Sequence, residues 1–217
     1  MLKMPIPEIV RSIEAAGVVA VIRLKDPEKL RAVVDAIGEG GITALEVTMT
    51  VPGAVELIRQ LAPTLPSGFV LGAGTVLDAD TAARVIDAGA RFIVSPVSRP
   101  AIITAAHAAG VPAMPGCFTP TEILDAWDAG ADVVKVFPAT SLGPSFFKDV
   151  RGPLPHVKLM PTGGVTLDNA GDWIRAGAVA VGIGTALLDA AAIASSNYGL
   201  LRANAERVVA NVKSARS

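Results

Sequence analysis

Cysteine and histidine are nearly absent from this chain of 217 residues, which has one Cys (Cys117) and two His (His107 and His156). A single thiol excludes an internal disulfide, and a reducing cytoplasm is the compartment this implies. Metal sites built from several Cys and His find too few donors here. Aromatic residues make up 4%, charged residues only 18%, and the formal net charge is −1. That balance removes the electrostatic basis for binding nucleic acid or an acidic membrane. A small anion held by local charge stays open. No apolar run approaches the roughly 20 residues of a membrane helix without an interrupting Gly, Pro or charge. The opening MLKMPIPEIV has two prolines and no long apolar core, so no signal peptide is expected.

What the chain does have is apolar material, 51% of it, mainly Ala, Val, Ile and Leu. It is arranged as a rhythm of short apolar runs and amphipathic stretches. The runs are VVAVIR (18–23), ALEVTMT (44–50), FVLGAGT (69–75), FIVSPV (92–97), VPAMPG (111–116), VVKVFP (133–138), KLMPTG (158–163) and VAVGIG (179–184). Short runs without strict alternation are the pattern of parallel strands buried on both faces. Helix starts are marked by Asp26-Pro27-Glu28, by Thr119-Pro120-Thr121-Glu122, and by Asp78 and Thr166. Glycine closes several helices in the same way, as in Asp87-Ala88-Gly89-Ala90, Asp128-Ala129-Gly130-Ala131 and Arg175-Ala176-Gly177-Ala178. Eight βα units with no break in composition predict an α/β fold, a (β/α)8 TIM barrel forming a single domain over 1–217. An open doubly wound sheet is the alternative. Residues 5–17 read as an extra N-terminal helix, and 189–215 as the last barrel helix, kinked near Asn197–Gly199.

In a barrel, reactive residues come from the C-terminal ends of strands and the loops after them. Lys135 sits there, inside Val133-Val134-Lys135-Val136-Phe137. Burial would favour its neutral amine, which attacks ketones to form imines, the electron sinks for cleaving a nearby C–C bond. The bland alternative is a lysine snorkelling from the strand edge or paired with an acid. Glu46 is the second polar intruder in an apolar strand, a general acid/base candidate or a structural partner of Lys135 or Arg23. Thr162-Gly163-Gly164 and Gly182-Ile183-Gly184-Thr185 follow the seventh and eighth strands, where barrels commonly bind phosphate through backbone N–H groups. Gly72-Ala73-Gly74-Thr75 lacks the third glycine of a dinucleotide loop and fits either a carboxylate-binding turn or a plain one. Arg23 ends the first strand and is placed to face the mouth or simply the solvent. Thr48, Thr50 and Pro96 are further strand-end candidates, and Cys117 reads as a small buried residue.

These residues resemble the 2-keto-3-deoxy-6-phosphogluconate (KDPG) aldolases, which often also cleave 4-hydroxy-2-oxoglutarate. The matching stretches run from Val18 to about Leu188: GITALEVTMT, GAGTVLD, FIVSPV, MPGCFTPTE, VVKVFPA, LGPSFFKDVRGPLP, LMPTGGV and VGIGTAL. The resemblance implies a class I aldolase with neither metal nor cofactor, a homotrimer acting on a small phosphorylated keto acid. It implies Lys135 as the Schiff-base residue and Glu46 as the acid/base. Thr75 and Pro96 then surround the pyruvate moiety, with Phe137 near the imine. Gly163, Gly164 and Thr185 match phosphate-binding positions, Thr185 standing where many relatives have serine. Many members carry arginine at Thr50 to hold the substrate carboxylate, and Arg23 is the residue expected to take over. The related galactonate aldolases tend to have Pro at Thr48 and Val at Thr162, so the chain resembles the gluconate type more closely.

Overall fold

The structure is a computed structural model that describes residues 4–217. Its strands are β1 (Val18–Ile22), β2 (Ala44–Thr48), β3 (Val70–Gly74), β4 (Ile93–Val94), β5 (Ala113–Met114), β6 (Gly116–Cys117), β7 (Val134–Val136), β8 (Leu159–Pro161) and β9 (Val181–Ile183). Two sheets, ordered β5-β4-β3-β2-β1-β9 and β6-β7-β8, contain them, and every pairing is parallel. The sheets join into one ring. The short strands β5 and β6 are halves of a single position, split where Pro115 has no N–H to give the ladder. On the other side, bridges Leu159–Ala178 and Thr162–Gly182 connect β8 to β9. Eight strand positions result, and the fold is the expected α/β barrel.

Strand residues alternate between two cores, as a period of two requires. Val18, Ala20, Ile22, Leu45, Val47, Val134, Val136, Val181 and Ile183 face outward into the layer under the helices. Val19, Ala44, Val70, Phe92, Val94, Met114, Val133, Met160 and Ala180 fill the barrel interior. The N-terminal helix α1 (Ile6–Ala16) adds Ile9, Val10 and Ile13 to that inner cluster and plugs the end away from the loops that follow the strands. Lys158, partly exposed at the start of β8, pairs with Glu14 of α1 at 2.7 Å.

The local signals act as the sequence implies. Asp26 caps α2 (Pro27–Glu39), Asp78 caps α4 (Ala79–Asp87), and Thr119 with Glu122 forms a full capping box on α6 (Pro120–Asp128). Each such cap contributes about 1 kcal/mol. Gly89, Gly130 and Gly177 all take left-handed φ, between 97° and 114°. Two readings need correction. The segment expected to be one kinked helix over 189–215 is two helices, α9 (Ala190–Ala194) and α10 (Tyr198–Arg216). Ser196 turns left-handed at φ 56°, and the Asn197 side chain accepts from Leu200 N–H to start a new helix. Thr166 does not open a helix directly. It and Asn169 exchange hydrogen bonds around a turn, and α8 (Ala170–Arg175) follows.

Candidate active site

Five polar side chains are buried among the described residues: Glu46, Thr48, Ser95, Lys135 and Thr162. Thr48, Ser95 and Thr162 lie at or just beyond the C-terminal ends of strands and Glu46 and Lys135 one or two residues before them, toward one mouth of the barrel. Four of them follow from parity. Counting by two from the inward residues Ala44, Val133 and Met160 leads to Glu46 and Thr48, to Lys135 and Phe137, and to Thr162. The same count from Val19, Val94 and Ala180 leads to Arg23, Pro96 and Gly184. Ser95 lies outside this register and accepts a hydrogen bond from Val97 N–H at 3.2 Å.

Lys135 is 5% exposed, so it does not snorkel. Burial lowers its pKa from 10.5; the nearby Glu46 charge opposes that shift and Arg23 reinforces it. Its Nζ stands 4.7 Å from the centre of the Phe137 ring. Glu46 is 1% exposed, and burial raises its pKa from 4.5 against the pull of Lys135 and Arg23. No ion pair or hydrogen bond to Glu46 occurs among the described residues, and its Oε2 is buried without a partner. The structural salt bridge considered for this residue is therefore not formed. An amine and a carboxyl group held near one another but not paired keep both protonation states available for proton transfer.

The space for the Glu46 carboxylate comes from Gly74 on the next strand. A Cβ there would stand 2.7 Å from Glu46 Cγ and would overlap the carboxylate itself. Thr75, the following residue, has φ 59°, an uncommon conformation for a β-branched side chain. Such strain costs about 1–3 kcal/mol and concentrates at functional sites. Thr75 and Thr50 border one hollow with Pro52 and Gly53. The hydroxyls of Thr48 and Thr50 are 2.7 Å apart, which ties the exposed Thr50 to the buried strand end. Pro96 and Phe137 line a second hollow with Gly116 and Cys117. Cys117 is a buried thiol, its pKa pushed up to about 12 mainly by desolvation.

On the other side of the mouth, Gly163 and Gly164 are consecutively left-handed, at φ 90° and 75°. Successive backbone N–H groups in such turns form anion-binding concavities. Thr162 Oγ1 is buried without a hydrogen-bond partner, packed over Gly182. Arg23 is exposed, and its Nη1 lies 3.1 Å from where a Cβ of Gly184 would be. Arg23, Gly184 and Thr185 border a common hollow. The guanidinium thus lies against Gly184 after β9, the neighbour of β1 on the side away from β2 and the Thr50 turn. Sequence reasoning missed Thr140, whose hydroxyl lies against Gly163 and Gly164. It follows Pro138 in a segment with no periodicity, and only the folded turn brings it to the loop.

Fold and site together define an α/β-barrel enzyme with its chemistry at the mouth. The family of KDPG and KHG aldolases matches residues 9–203, and the chain belongs to that family of class I aldolases. It is an aldolase, and so a lyase. A probable 2-dehydro-3-deoxy-6-phosphogalactonate aldolase of Rhizobium meliloti is 38% identical over 186 residues, 85% of each chain. A 2-dehydro-3-deoxy-phosphogluconate aldolase of Pseudomonas aeruginosa is 37% identical over 160 residues, covering 73% of this chain and 72% of the relative. Among solved structures, the KDPG aldolase of Legionella pneumophila superposes with a TM-score of 0.85 at 30% identity, over 92% of this chain and 97% of the other. That structure holds pyruvate captured at low pH as a covalent carbinolamine intermediate. Among the described residues, no helix is long and apolar enough to cross a membrane.

Proposed function

We propose that this aldolase cleaves KDPG to pyruvate and glyceraldehyde 3-phosphate through an imine on Lys135. The observation that carries the reading is a lysine buried at the barrel mouth, near a buried glutamate with no bonding partner. Neutral Lys135 Nζ attacks the C2 ketone. Glu46 shuttles protons so that the carbinolamine loses water and the protonated imine forms. The carboxylate then takes the proton of the C4 hydroxyl, the C3–C4 bond breaks, and its electron pair moves into the enamine. Glyceraldehyde 3-phosphate leaves. Protonation at C3 and hydrolysis of the imine release pyruvate and restore the amine.

Around this centre, Pro96 and Phe137 flank the pyruvate carbons, and Thr48, Thr50 and Thr75 face its carboxylate with hydroxyls and backbone N–H groups. Gly163, Gly164, Gly184 and Thr185 hold the phosphate. The orientation of Arg23 toward Gly184 supports a phosphate role for it, in place of the carboxylate role its position in the sequence suggests. Thr162 lies between the imine and the phosphate loop. Relatives named for the gluconate and the galactonate substrate are almost equally similar, so overall identity does not choose between them. Thr48 and Thr162 favour the gluconate epimer. Cleavage of 4-hydroxy-2-oxoglutarate to pyruvate and glyoxylate belongs to the same proposal. So does a homotrimer of single-domain barrels (1–217) in the cytoplasm, on the strength of the family resemblance and the lone buried thiol.

Borohydride reduction in the presence of pyruvate, followed by peptide mapping, tests the mechanism. The expected product is a reduced pyruvyl adduct on Lys135. An unmodified Lys135 alongside normal turnover overturns it. Comparing cleavage rates of the two C4 epimers tests the substrate assignment.

A further inference from the structure

Resting on the phosphate assignment above, we infer that Thr140 completes the phosphate site and sets the preference for phosphorylated over unphosphorylated keto acids. Thr140 stands in the turn Ala139–Ser141, directly after the strand that carries Lys135. That turn is fixed by Ala139 N–H donating to Thr162 O at 3.0 Å and by Leu142 N–H donating to Ala139 O at 3.0 Å. Its backbone is therefore bound to the strand end from which the glycine loop springs.

Thr140 Oγ1 lies 3.3 Å from the position a Cβ would take on Gly163 and 3.0 Å from that on Gly164. A Cβ on Gly164 would also stand 2.9 Å from Thr140 Cα. The two glycines thus do two things. Their φ values turn N–H groups toward an anion, and their missing side chains admit the Thr140 turn as a wall of the same concavity. Thr140 is exposed, so its hydroxyl can reach a ligand in that concavity. A hydroxyl there adds a neutral donor beside the loop after β8, while the cation Arg23 stands at Gly184 after β9. An uncharged donor suits this place, because it strengthens phosphate binding without adding a second cation near Lys135.

The test compares Thr140→Val, which keeps the shape and removes the donor, with Thr140→Ser, which keeps the donor. The ratio of kcat/KM for KDPG to that for 4-hydroxy-2-oxoglutarate should fall about tenfold in the Val variant, through KM, and recover in the Ser variant. An equal loss on both substrates would make the turn purely structural and overturn the inference. So would an unchanged ratio. Binding of inorganic phosphate, followed by 31P NMR line broadening, gives a second readout that needs no turnover. It should weaken in Thr140→Val and not in Thr140→Ser. If wild-type protein binds phosphate but Lys135 is never trapped with pyruvate, the imine reading fails while the Thr140 inference still stands or falls on this measurement.

Discussion

Replacing Gly74 by alanine should disable catalysis through a residue that makes no chemistry of its own. A methyl group at Gly74 would lie 2.7 Å from Glu46 Cγ and inside the space of the carboxylate. Carbon–carbon contacts settle near 3.5–4.0 Å, so the side chain must retreat by about 1 Å or more. The backbone of Glu46 cannot follow, because β2 is held between β1 and β3 with Glu46 in register with Val21 and Gly72. Only rotation of the side chain is left, and it carries the carboxylate off the line to Lys135. A misplacement of about 1 Å costs on the order of 10²-fold in rate, and complete loss of acid/base help about 10²–10⁴-fold. Overpacking should also cost about 1–3 kcal/mol of stability, a fall in Tm of about 3–10 °C for a chain of this size. Gly110→Ala is the control. Gly74 is not left-handed whereas Gly110 has φ 74° with nothing within 4 Å of its added Cβ, so Gly110→Ala lowers stability by backbone strain alone and shows whether lost stability without contact to Glu46 lowers kcat. Pyruvate release can be followed by coupling to lactate dehydrogenase. A Gly74→Ala variant whose kcat stays within about twofold of the parent would refute the claim that this glycine houses the carboxylate.

The electrostatics give further tests. In the proposed mechanism Lys135 must be neutral to attack, and its pKa lies below 10.5 because of burial, with Arg23 helping and Glu46 opposing. The pH profile of borohydride trapping with pyruvate should therefore move toward acid in Glu46→Gln and toward alkali in Arg23→Gln; shifts in the opposite sense would show that these charges do not act on Lys135. The same groups shape stability. Glu46 in the folded chain holds a proton that the unfolded chain has released, so stability should fall as pH rises from about 4.5 through the raised folded pKa. Urea unfolding across that range should show a shallower slope in Glu46→Gln, and an unchanged slope would assign it to other groups. Thr75→Gly should relieve the left-handed strain at φ 59°. Offset by the entropy cost of glycine, the net gain is about 1 kcal/mol, together with a higher KM for the keto acid. A variant that is both less stable and fully active would detach the strain from function.

How far the sequence alone leads depends on the kind of contact involved. The burial of Lys135 and Glu46 was legible because a charge in a short apolar run stands out wherever that run is a buried strand, and the run is itself a local pattern. The same holds for the caps at Asp26, Asp78 and Thr119, whose partners lie within three residues. The two-helix C-terminus was less legible. The expected kink sat beside the true break, but the left-handed Ser196 has no propensity signal to announce it. What stayed hidden are contacts between strands distant in sequence. Gly74 reads as part of a turn until β2 and β3 are in register, when it becomes the cavity for Glu46. Arg23 reads as a candidate for the carboxylate end until β9 closes the ring beside β1 and draws the guanidinium toward Gly184. Thr140 comes against Gly163 and Gly164 only when the turn after β7 meets the loop after β8. Barrel closure itself therefore brings together the proposed phosphate end of the site from β1, β7, β8 and β9. The proposed imine end draws instead on the inward register of β2 and β7 and on Gly74 of β3. Substitutions that loosen closure between β8 and β9 should harm recognition of phosphorylated substrates before they harm imine formation, since Lys135 and Glu46 lie on strands that this seam does not join.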